Sequence, residues 1–109
     1  MTTDDALNHL VALLKRGQPL GKGGYDIYLD DVIDDYIIKN EGMQRDSSYK
    51  FRDRGVALSE SFYSAAWELC RRGILRPGRR DSAGSGVGNN EFGAGYSVTQ
   101  QGREWLPHA

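Results

Sequence analysis

Residues 65–78 read AAWELCRRGILRPG, and residues 95–106 read GYSVTQQGREWL. In the first stretch Ala65, Ala66, Leu69 and Cys70 recur at the three- and four-residue spacing of a helix's inner face. Arg71 and Arg72 stand where a helix C-terminus favours cations, and Gly73 stops the helix. Ile74 and Leu75 then predict a short strand over 73–76, ended by Pro77, which cannot donate to a ladder. In the second stretch, residues 96–99 predict a strand with Tyr96 and Val98 on one side. Thr99 is placed to cap a last helical turn or two over 100–106, which Gly102 weakens and from which Trp105 and Leu106 fold back on the core.

Working outward, residues 59–72 predict the third helix, capped by Ser59 or Ser61, with Phe62 joining the inner face. Upstream, EGMQRDSSYKFRDRG (41–55) shows no clean period and predicts a loop or short irregular turn, with Tyr49 and Phe51 as anchors. Lys50, Arg52 and Arg54 alternate with those aromatics, as in a short edge strand. Residues 26–40 predict the second helix. Leu29, Val32, Ile33, Tyr36 and Ile37 turn inward, and Asp30, Asp31, Asp34 and Asp35 lie largely outside. Residues 4–16 predict the first helix, with Leu7, Leu10, Val11 and Leu14 as its apolar face and Thr3 or Asp4 as its cap. Gly17 and Pro19 end it. The connector GQPLGKGG lacks the spacing and the preceding strand of a phosphate loop.

The order is helix, helix, helix, strand, glycine-rich loop, strand, helix. In AAWELCRRGILRPG and GYSVTQQGREWL the chain resembles the winged helix-turn-helix domains of bacterial transcription regulators and related interaction modules. The third helix of that superfamily commonly ends in leucine, basic residues and glycine before an Ile-Leu strand. The wing returns through an aromatic-x-Val-Thr strand into a helix opening Thr-x-x-Gly-x-x-x-Leu, matched here by Thr99, Gly102 and Leu106. The resemblance covers 59–106 in motif and 4–40 in element order alone. It implies an α+β fold: one domain over 1–109, a three-helix core, a two-stranded β wing with a long glycine-rich loop at about 78–95, and a short C-terminal helix. Three features depart from the pattern. The 41–55 segment is longer than a tight turn, the second helix is strongly acidic, and the wing's basic residues, Arg79 and Arg80, sit at its base.

A formal net charge of -1 provides no whole-molecule attraction to nucleic acid. The charges are unevenly spread. Residues 1–49 carry nine acids against five bases, whereas 50–80 carry eight bases against three acids. The superfamily's DNA-binding members place the third helix in the major groove. On that pattern Ser61 and Ser64 reach base edges or phosphates, and Lys50, Arg52, Arg54, Arg79 and Arg80 contact phosphates. The outward side of 59–72 lacks the Arg, Asn or Gln that gives bidentate base readout. The alternative is a protein-interaction module without DNA binding, with Tyr63 and Trp67, four residues apart, as its aromatic anchors. Double-stranded DNA, a protein partner and a second copy of the chain are the partner classes left open, with the first helix as the dimer element.

No catalytic residues are expected. His9 and His108 are the two histidines, near opposite ends, and no triad or nucleophile elbow accompanies them. The acidic helix lacks a glycine-centred calcium loop, Cys70 stands alone, and neither a metal site nor a cofactor is expected. Cys70 reads as a small core residue. The single cysteine and an N-terminus opening on Asp4 and Asp5, with an apolar run broken by Lys15 and Arg16, predict a cytoplasmic chain without a signal peptide or membrane span.

Overall fold

A computed structural model describes residues 1–17, 24–45, 49–80 and 94–109. Thr2, rather than Thr3 or Asp4, caps the first helix, α1 (Thr3–Lys15). It accepts from the Asp5 backbone while the Asp5 side chain accepts from the Thr2 N–H, a reciprocal box that satisfies two otherwise orphaned donors. Ala6, Leu10 and Leu13 are buried, with Leu7, Val11 and Leu14 packed against them.

The second helix, α2 (Leu29–Glu41), begins after a two-residue strand, β1 (Ile27–Tyr28), where the sequence predicted helix from residue 26. Asp26 stands outside the helix and is tied to the Tyr96–Val98 segment: its N–H donates to the Tyr96 carbonyl, and its carboxylate accepts from the Val98 N–H at 2.8 Å. Two residues are too few to show strand alternation, so helical periodicity absorbs them. Leu29, Val32, Ile33 and Ile37 form the buried side of α2, which ends at Gly42 in the left-handed conformation.

The larger correction concerns 41–55. The third helix, α3, runs from Tyr49 to Arg71, so the second half of the predicted loop is helical. Phe51, Leu58, Phe62, Ala65 and Leu69 are its buried stripe, and Gly55 stands at the position between Phe51 and Leu58. That glycine contributes no apolar side chain to the pattern, and the charged residues around it disguise the remaining period. Ser59 and Ser61, expected caps, lie inside the helix. Ser59 Oγ donates back to the Gly55 carbonyl, and Ser61 Oγ donates to the Met1 carbonyl. Phe51 is buried as an anchor should be, but Tyr49 is 79% exposed.

After Gly73, whose φ of 80° suits a residue without a Cβ, come β2 (Leu75–Pro77) and β3 (Gly95–Val98). They pair antiparallel, Leu75 with Val98 and Pro77 with Tyr96. β3 also pairs with β1, Ile27 with Tyr96, so the expected two-stranded ribbon is a three-stranded antiparallel sheet of order β1-β3-β2. Most of the glycine-rich wing predicted at 78–95 falls on 81–93, outside the described residues. Thr99 caps α4 (Gln100–Trp105) as expected, accepting from the Gly102 N–H at 2.8 Å and donating to the Gly73 carbonyl. A 3-10 turn, Leu106–His108, follows. Leu106 is buried and Trp105 packs against the core.

Among the described residues, three main helices, a small antiparallel sheet and a short C-terminal helix thus make an α+β fold. One buried cluster joins α1, α2, α3 and the sheet through Leu10, Val32, Phe62, Leu75 and Tyr96.

Candidate interaction surface

With 49–71 in one helix, residues 53, 56, 60, 64, 67 and 71 fall at three- and four-residue steps and line a single face. Asp53, Val56, Glu60, Ser64, Trp67 and Arg71 are all exposed, as the buried stripe on the opposite side requires. Val56 is 69% exposed and Trp67 62%. Two large apolar side chains thus stand in water on one helix face, flanked by two carboxylates. Trp67 also borders a shallow groove of about 650 Å3 whose described lining includes Ser64, Glu68, Cys70 and Arg71.

Tyr63 does not stand beside Trp67 as an equally exposed partner. It is half-buried, and its hydroxyl donates to Asp30 Oδ1 at 3.4 Å, tying α3 to the start of α2. Burial and the Asp30 carboxylate both raise the pKa of that hydroxyl.

The residues expected to meet phosphate are scattered. Lys50 and Arg52 are exposed in the first turn of α3, without an ion pair among the described residues. Arg54 is engaged elsewhere: its Nε and Nη2 each donate to Glu41 across a 2.6 Å contact, a bidentate clasp between α3 and the end of α2. Those hydrogen bonds hold the Glu41 carboxyl below its ordinary range. Ser61 is spent on the Met1 carbonyl, and Ser64 is exposed. At the base of the predicted wing, Arg80 pairs with Asp26 at 3.3 Å and donates from Nε to the Gly24 carbonyl. The Arg79 guanidinium lies over the Tyr25 ring, 5.8 Å from its centroid. Both arginines thereby fasten the β2 end to the segment that leads into β1. Arg71 and Arg72, read from sequence as dipole partners, both pair with Glu68, at 2.7 Å and 3.2 Å, and lower its carboxyl pKa.

Sequence reasoning missed Asp53 and Val56, which fall on or next to the segment read as loop, and left Glu60, the second residue of the predicted third helix, out of its outward side. The missing signal was the continuation of the Phe62 stripe back through Leu58 to Phe51.

Cys70 and His9 are two further reactive side chains. Cys70 is a half-buried thiol, pushed up to about 11 by burial, so little of it ionises near neutral pH. His9 packs edge-on between Tyr36 and Phe62, at 5.1 Å and 5.9 Å between ring centroids. Its Nε2 is enclosed without a hydrogen-bond partner among the described residues, and burial depresses its pKa. Among the described residues, no group of three His, Cys, Asp or Glu side chains is placed to hold a metal ion, and no helix is long and apolar enough to cross a membrane.

Comparison of the chain with protein-family models, curated proteins and solved structures gives no match. The surface is therefore read on its own chemistry.

Proposed function

We propose that the chain is a winged-helix-type module that docks another protein on the outward face of α3. The observation that carries this reading is Trp67: a tryptophan 62% exposed on the helix face remote from the core, in line with a second bared apolar residue, Val56. Folding gains little from leaving such surface in water, whereas tryptophan is one of the residue types enriched among interface anchors. The winged-helix assignment is supported by the order of three helices followed by a strand pair, and by the β1 strand joining that pair at its edge.

DNA binding is the second reading, favoured by Lys50 and Arg52, both exposed at the start of α3. Against it stand Asp53 and Glu60 on the face that would enter the groove, and the engagement of Arg54 and Arg80 by carboxylates. A salt series with mixed-sequence duplex DNA separates the two. Protein docking predicts no duplex binding at low salt that replacement of Lys50 and Arg52 by alanine removes. Binding that falls steeply with salt and is lost in that double variant would establish the DNA reading instead.

A further inference from the structure

Beside Val56, between α2 and α3, lies a cleft of about 220 Å3. Ile33, Phe51, Gly55 and Val56 give it an apolar lining, Arg52 and Ser59 line its α3 side, and Asp30 and Asp34 stand on its α2 side. Gly55 leaves this space open, since a Cβ there would lie 3.9 Å from Ile33 Cγ2. The two aspartates are one helical turn apart and share a face. Asp34 is half-buried and pairs with Arg45 at 3.3 Å, yet burial, Asp31 and Asp30 outweigh that guanidinium and push its carboxyl up. Around the cleft and along the adjoining α3 face stand Asp30, Asp31, Asp34, Asp53 and Glu60, against Arg45, Arg52 and Arg71, the last of these already paired with Glu68. The local field is negative although the protein's net charge is only -1.

We infer that this cleft takes a lysine or arginine side chain of the docked polypeptide, while Trp67 takes an apolar residue of the same segment. The inference rests on the docking reading of α3. A basic side chain matches the cleft in both halves: its methylene stem lies on Ile33, Gly55 and Val56, and its charged head reaches Asp30 and Asp34. The Arg45 guanidinium that pairs with Asp34 is itself exposed, and such a solvent-facing pair contributes little, so it yields to an incoming cation. Val56 and Trp67 are eleven residues apart, about 16 Å along the helix. A partner helix reaches both positions with the same spacing, so an amphipathic basic helix is the occupant. A phosphate backbone laid here would instead face the five carboxylates.

The test is a random peptide library of about 16 residues displayed on phage. It is selected on the full chain and counter-selected on Trp67→Ala, with the fold of each variant checked by circular dichroism. Enriched peptides are expected to combine Lys or Arg with an aromatic or aliphatic residue. A synthetic enriched peptide should bind about fivefold more weakly to Asp30→Asn/Asp34→Asn and about tenfold or more weakly to Trp67→Ala. As a second variant, Asp30→Lys should weaken the bias of the selection towards Lys and Arg. Enrichment that needs Trp67 but has no basic bias, or that the two asparagines leave unchanged, overturns the cation site and leaves the docking reading standing. Equal recovery on wild type and Trp67→Ala, or displacement of the peptide by mixed-sequence duplex DNA, overturns both.

Discussion

Replacing Gly55 by alanine inserts one methyl group into the middle of α3, and replacing Gly102 does the same in α4. In both cases alanine favours the helix by roughly 1 kcal/mol over glycine. What differs is the space. At Gly55 the new Cβ meets Ile33 Cγ2 at 3.9 Å and Ile37 Cδ1 at 4.0 Å, ordinary contact distances. Gly55→Ala should therefore stabilise the fold by about 0.5–1 kcal/mol, raising the thermal midpoint by roughly 3–6 °C for a chain of this size. At Gly102 the Cβ would lie 2.3 Å from the Ile74 carbonyl oxygen and 2.9 Å from Val98 Cγ1. Part of that obstruction is backbone, so α4 must move away from the turn that precedes β2. Overpacking of this kind costs roughly 1–3 kcal/mol, which exceeds the propensity gain at its upper end, and the midpoint should fall. Circular dichroism melts and urea titrations of both variants measure the pair. A Gly55→Ala protein no more stable than the parent would mean that 49–58 is not a helix packed on α2. A Gly102→Ala protein as stable as the parent would mean that α4 does not press on the Ile74 carbonyl.

Other consequences follow from the polar contacts. His9 has a folded pKa below its ordinary 6.5, because burial disfavours its cation more than Asp35 favours it. Below about pH 6.5 the unfolded chain binds the proton and the folded one does not, so this histidine's share of stability is complete above that pH and is lost as pH falls towards the depressed folded value. Urea unfolding at pH 7.5 and at steps down to pH 5 should show that decline, and His9→Gln should flatten it; an equal slope in the variant would remove His9 as its source. Arg54→Ala should lower thermal stability by freeing α2 from α3 at Glu41, and should leave any duplex affinity unchanged. A loss of duplex affinity without a loss of stability would return Arg54 to a phosphate-contacting role.

The sequence was most legible where apolar residues recur without interruption and where a single residue type has one steric use. The Phe62–Leu69 stripe, the Thr99 cap and the Tyr96 strand all stand where the pattern put them. Gly102 was visible but misjudged: it weakens a helix in isolation, yet here it admits the Ile74 carbonyl at a distance no other residue allows. Gly55 misled in the opposite sense, interrupting an apolar stripe and making one turn of α3 resemble a loop. β1 was hidden because two residues have no period. Its strand identity comes from the partner, through the pairing of Ile27 with Tyr96, sixty-nine positions away in sequence. The charged residues were the least legible. Nothing local distinguishes Arg54, clasped by Glu41, from Arg52, which has no ion pair among the described residues, since a carboxylate thirteen residues earlier decides the matter.

The most direct measurement is the amide chemical-shift footprint on the labelled chain when an enriched peptide from the library is added. The account predicts that the largest changes fall on 53–67 of α3 and 30–34 of α2, that they saturate together, and that Trp67→Ala abolishes them. A footprint centred instead on Arg79, Arg80 and the strand ends, with the outward side of α3 unmoved, would contradict it.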